Sequence, residues 1–226
     1  MGRQARTAWI VAIAAVMVAA IAVAVAVSLR SNADPSEQSG PPLAASLDTV
    51  VLRPADVPER ALHETARLEP GRPFLVADGV TACTPALYPP PGVTGYGLVT
   101  SYRDAELDAK ASTSVVIFRS DAWNPDVSAA TLASCRASGS DERPVEVESL
   151  SFDGLPRGAT AIHLRQKRTR AAGEDLNVVV IRGTERGVGI VARHEVWTAD
   201  APDPVTLRTT AVQLYVKQRQ RILDAP

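Results

Sequence analysis

Residues Ala8 to Leu29 form one apolar run, AWIVAIAAVMVAAIAVAVAVSL, broken only by Ser28 and carrying no charge. As a helix, its 22 residues rise about 33 Å at ~1.5 Å each, which matches a hydrocarbon core about 30 Å thick. A helix also satisfies its own backbone, as hydrocarbon requires. Arg3 and Arg6 precede the run, and only Arg30 follows it closely. By the positive-inside rule, residues 1–7 lie in the cytoplasm, residues 8–29 form a single transmembrane anchor, and the rest lies outside. The rival reading is a cleaved signal peptide, for which Ala22-Val23-Ala24 and Ala24-Val25-Ala26 offer small-x-small sites. A signal core of about 7–15 apolar residues is shorter than this one, which favours the anchor. No Cys follows the run closely enough for a bacterial lipid anchor. Both readings export the remainder of the chain.

Residues 30–46 are rich in Ser, Pro, Gly and Ala and lack periodicity, as a spacer does. Residues 47–226 are then one extracytoplasmic domain, long enough to bury its own core. Three of the 24 basic residues and none of the 25 acids lie before residue 31. The remainder is therefore mildly acidic, which gives no footprint for nucleic acid. Aromatic residues make up only 4% of the chain, so Val, Leu, Ile and Ala must fill the core.

Cys83 and Cys135 are the only two cysteines. In an oxidising compartment they are expected to form one disulfide, the alternative being two buried free thiols. Their spacing is wrong for a Cys-x-x-Cys redox site.

Six segments carry strand patterns: Tyr96–Arg103, Ser112–Arg119, Val145–Phe152, Ala159–Lys167, Asp175–Arg182 and Gly187–His194. Gly183–Gly187 (GTERG) should close a hairpin between the last two. Arg53–Leu62, with Pro54 and Pro58, reads as a short helix or turn. Tyr88-Pro89-Pro90-Pro91-Gly92 reads as a rigid connector, with a ligand loop as the alternative. Asn124-Pro125 looks like a cap and first position of a helix that carries Leu132 and Cys135 inward and ends at Gly139. Asp203 and Pro204 should open a final helix that buries Leu207, Ala211, Leu214, Tyr215 and Ile222. The expected fold class is α+β: a mostly antiparallel sheet of about six strands covered by helices and preceded by the transmembrane helix.

The residues argue against catalysis. His63, His163 and His194 form no metal-binding pair at helical spacing, and no phosphate-cradling or nucleophile-elbow motif occurs. A Ser-His-Asp site assembled from distant positions leaves no local signature. No catalytic residue, metal ligand or cofactor is expected. Alternation places His163 on the polar face of its strand, where a pH-sensing role competes with the plainer one of a surface histidine. Arg165-Gln166-Lys167-Arg168-Thr169-Arg170 reads as a solvated hairpin tip, or else as a contact for phosphate-bearing glycolipid or wall polymer.

The order of features resembles a known group. A Cys in Cys83-Thr84-Pro85-Ala86-Leu87 is followed by a Tyr-containing strand and by Ser114-Val115-Val116-Ile117-Phe118. A helix then ends in Leu132-Ala133-Ser134-Cys135. This pattern resembles the PknH-like extracellular sensor domain of actinobacteria, over roughly residues 47–223. The resemblance implies an α+β domain with a cleft that binds an envelope ligand, such as a lipid, glycolipid or cell-wall fragment. The chain departs from the receptor kinases of that group: only seven residues precede the anchor, and the C-terminal half holds no second cysteine pair. No ligand-binding residue carries over. The other expectation is a non-catalytic scaffold that binds a protein partner of the envelope.

Overall fold

The computed structural model describes residues 40–57, 62–68, 81–104, 109–119, 123–167, 174–199, 202 and 204–226. The anchor expected over residues 8–29 lies outside these. No helix among the described residues is long and apolar enough to cross a membrane.

The architecture is α+β. Seven antiparallel strands form one sheet in the order β1-β2-β3-β7-β6-β5-β4. They are β1 (Leu62–Leu68), β2 (Gly95–Asp104), β3 (Ala109–Arg119), β4 (Val145–Leu150), β5 (Thr160–Gln166), β6 (Asp175–Glu185) and β7 (Val188–Thr198). Two meanders, β1-β2-β3 and β4-β5-β6-β7, are joined edge to edge where β3 pairs with β7. Among the described residues four α-helices accompany the sheet: α1 (Leu47–Val50), α2 (Thr84–Leu87), α3 (Ala129–Ala137) and α4 (Pro204–Asp224).

The six expected strands all form, and β1 is an addition. Its sequence, LHETARL, places charged residues among its apolar ones, and edge strands favour such residues. The β6–β7 hairpin is tighter than the five-residue GTERG turn expected. The ladder runs to Glu185 paired with Val188. Only Arg186 (φ 50°) and Gly187 (φ 75°) are left to turn, both left-handed, as a two-residue hairpin matched to strand twist requires. Gly189 is not part of the turn. It lies within β7, where a Cβ would run into the Phe118 ring.

Because side chains alternate, each inner strand feeds two cores. On one face, Val179, Ile181, Ile190, Ala192 and Val196 meet Leu207, Ala211, Leu214, Tyr215 and Ile222 of α4. This is the helix face expected from the 3.6-residue period, and every one of its five residues is buried. On the other face, Val116, Phe118, Ile162, Leu164, Val178, Val180 and Val191 meet Leu87, Leu132 and the two cysteines. Cys83 and Cys135 are bonded, with Cα atoms 4.5 Å apart and both side chains fully buried. The bond fixes the short helical segment Thr81–Leu87 to α3.

Helix α3 begins later than Asn124-Pro125 suggests. Ser128 is its cap and accepts from the Thr131 N–H at 3.1 Å, while Asn124 Oδ1 accepts from the Asp126 N–H in a separate local turn. The helix ends at Ala137, and Ser138 rather than Gly139 is its C-terminal cap. The domain also begins before Leu47. Leu43 is buried, and its N–H donates to Arg186 O at 3.0 Å.

Candidate ligand cleft

The start of β2 and the end of β3 are neighbours, since Tyr96 pairs with Ile117 and Gly95 with Phe118. The chain reaches β2 through the proline run. Pro91 presets its φ, and Gly92 takes φ of +84°, so the chain turns sharply into Val93, Thr94 and β2. At the same end of the sheet Arg119 closes β3, and the N-terminal segment runs past it into α1. Together they enclose an open cleft of about 520 Å³ whose lining includes Ser46, Leu47, Gly92, Thr94, Tyr96 and Arg119. The wall is of mixed character: the aromatic residue Tyr96, the hydroxyl residues Ser46 and Thr94, the aliphatic residues Leu47 and Val93, and one cation.

Arg119 is held rather than loose. Its Nη1 donates to Leu43 O at 2.6 Å and its Nη2 to Ala45 O at 2.7 Å. Arg186 secures the same segment from the hairpin turn, with Nε donating to Pro41 O at 2.8 Å and Nη1 to Ile222 O at 3.1 Å. Gln218 of α4 secures the next stretch. Its Oε1 accepts from the Leu52 N–H at 2.9 Å and its Nε2 donates to Val50 O at 2.9 Å, all of it buried. The N-terminal segment is thus a strap tied down by three side chains, and the cleft opens beside it. Ser46 donates its hydroxyl proton to the Asp48 carboxylate.

A second group of polar residues lies inside the cysteine-bearing core. Arg182 donates to the carbonyls of Pro85 and Ala86 at 3.0 and 3.2 Å, and its guanidinium sits 5.0 Å from the Trp123 ring centre. Burial lowers its pKa to about 10, against an opposing pull from Asp126. Arg193 lies 4.2 Å from the Tyr88 ring centre and is ion-paired with Glu195. Burial lowers its pKa too, partly offset by Tyr88. Ser112 donates to Glu195 at 3.3 Å. Each of these arginines is 3% exposed. They fasten the proline-rich segment to the sheet and are closed off from solvent.

The sequence-predicted residues are scattered. His194 is fully buried, with Nδ1 3.1 Å from Leu207 O and Nε2 3.0 Å from Tyr102 Oη, which joins β2 and β7 to α4. His163 is half-buried on β5, with Nδ1 3.4 Å from Glu148 Oε1. His63 falls on β1, whose side chains lie outside the described set. In the basic run, Arg165 pairs with Asp175 at 2.6 Å and Lys167 pairs with Glu146. Residues 168–170 are outside the described set. Among the described residues, no group of three or more His, Cys, Asp or Glu side chains is placed to hold a metal ion. Sequence reasoning does not reach the cleft residues Ser46, Thr94, Tyr96 and Arg119. They come from three separate stretches, so no local spacing announces them. The proline turn bordering the cleft is the nearest hint.

No family model matches this chain, and no curated protein or solved structure is significantly similar to it.

Proposed function

We propose that this chain is a membrane-anchored extracytoplasmic binding module, sensor-like and non-catalytic, that takes a polar cell-wall or glycan fragment in the cleft beside the N-terminal strap. The observation that carries the reading is the mixed lining of that cleft. An acyl chain demands an enclosed apolar cavity, whereas a sugar presents hydroxyls on a partly apolar ring. Tyr96 with Ser46 and Thr94 answers the second need. The apolar run at residues 8–29 and the buried disulfide support placement on the oxidising side of a membrane. The resemblance to PknH-like sensor domains points the same way.

The test uses the full chain in nanodiscs, titrated with soluble wall-derived glycans and, separately, with dispersed glycolipid. Thr94→Trp adds bulk to the cleft from an exposed position, and Thr94 itself makes none of the strap bonds. The reading expects glycan binding that this variant removes. Binding that the variant leaves intact, or binding of glycolipid alone, contradicts it.

A protein-interaction scaffold is the second reading, and one observation favours it. Val205, Val216 and Leu223 of α4 are 48, 46 and 39% exposed. They are 11 and 7 residues apart, close to whole numbers of turns at ~3.6 residues per turn, so they form a stripe. Val216→Glu should abolish co-purification of a membrane partner if the stripe docks one. Unchanged co-purification rejects that use.

A further inference from the structure

Resting on the cleft as the binding site, we infer that its ligand is an acidic sugar, recognised through a carboxylate or phosphate by Arg119. A guanidinium has five N–H donors in a fixed planar fork. The carbonyls of Leu43 and Ala45 take two of those on Arg119, and these bonds fix the group's position. Three donors remain. Among the described residues no carboxylate is paired with Arg119, and none lines the cleft.

The contrast with the other arginines sharpens the point. Arg165, Arg193, Arg219 and Arg221 each pair with an Asp or Glu. Arg182 is buried against backbone carbonyls and an aromatic face, and Arg186 spends itself on carbonyls at the hairpin. Arg119 differs in being a pre-positioned, exposed cation on a concave surface. Carbonyl partners orient a guanidinium without neutralising it, which suits charge-assisted recognition of an anion.

The rest of the wall selects a sugar over a bare ion. Tyr96 is a half-buried aromatic residue of the lining, of the kind that packs against a sugar ring. The Ser46 hydroxyl donates its one hydrogen bond to Asp48, so its oxygen is left as an acceptor for a ligand hydroxyl. Thr94 can donate or accept. Asp48 lies one residue beyond Leu47, outside the lining, where it disfavours an anion at that end. The ligand's charged group is thereby directed to the Arg119 end.

The experiment is a saturation-transfer NMR titration of the full chain in nanodiscs with matched sugars. N-acetylmuramic acid is set against N-acetylglucosamine, glucuronic acid against glucose, and glucose 6-phosphate against glucose. At least one acidic member should bind about tenfold or more tightly than its neutral partner, the scale of a charge-assisted hydrogen bond. The arm in which this occurs separates carboxylate from phosphate. Arg119→Gln should close the gap, and Thr94→Trp should remove binding of both members with the strap intact. Equal binding of acidic and neutral sugars, abolished by Thr94→Trp, overturns the acidic specificity and leaves the cleft as a glycan site. No binding by any probe, or binding indifferent to Thr94→Trp, overturns both.

Discussion

Gln218 illustrates how a single polar residue can organise a segment far from it in sequence. It lies on the buried face of α4 by helical phase, and its amide closes two hydrogen bonds that the strap backbone cannot make with a neighbouring strand. Replacing it by Leu keeps the volume but strands the Leu52 N–H and the Val50 carbonyl. Gln218→Leu should cost about 2–6 kcal/mol, since each of the two unmet buried groups costs about 1–3 kcal/mol. Chemical denaturation of the variant measures it, and a loss under about 0.5 kcal/mol, within the range of a neutral surface change, would show the strap to be held by other means. Tyr215 gives a pH signature. Burial, reinforced by Glu185 and opposed by Arg219, pushes its phenol up to about 12. Between about pH 10 and 12 the unfolded chain has therefore released a proton that the folded chain keeps, and the Tyr215 contribution to stability falls with rising pH. Arg182, lowered to about 10, works in the opposite sense over the same range. Tyr215→Phe should make the drop in unfolding midpoint between about pH 9 and pH 11.5 smaller than in the native chain. An equal drop would contradict the assignment. The roles of Gln218 and Arg119 are not legible in the sequence. A Gln amid basic residues reads as part of a solvated face, and an Arg at a strand end reads as a solvated tip.

The elements are far more legible than the residues that join them. β-Branched runs mark β3, β6 and β7, which are buried on both faces, and period-two alternation marks β4, which buries one. β1 lacks such a run, and its place at the edge explains why. For helix α3, Asn124-Pro125 and Ser128 both carry cap chemistry, and the sequence pattern favours the earlier site. Backbone hydrogen bonding, which only the structure shows, selects Ser128. At this scale the disulfide makes the strongest prediction. It closes a span of 52 residues, for which the loop-entropy model gives about 4 kcal/mol of stabilisation. A Cys83→Ala, Cys135→Ala double variant should lose that much. The loss should be uneven, with amide exchange accelerating over residues 81–88 and 129–137 before it does in β6, β7 and α4. Uniform acceleration would mean that the two cores unfold as one unit. Gly189→Ala should also destabilise, by about 1–3 kcal/mol, because the added methyl displaces the Phe118 ring from its core. A melting curve unchanged from the native chain would show that the ring has another place to go.

For the molecule as a whole, sequence and fold address different parts of one account. The apolar run at residues 8–29 carries the proposal of where the domain works, and it does so through composition alone. The cleft carries the proposal of what the domain holds, and it exists only after three distant stretches converge on one end of a sheet. That is why the sequence raises an expectation of place but names no ligand-binding residue. The two meet in the cysteines, because disulfides form and persist in oxidising compartments and are rare in reducing ones. The most direct check is therefore the redox state of Cys83 and Cys135 in living cells that carry the full chain. Cells are quenched in acid, the protein is denatured, and thiols are tagged by mass with and without prior reduction. Export predicts no tag before reduction and two after it. Two tags before reduction would place the domain in the reducing cytoplasm and contradict the account.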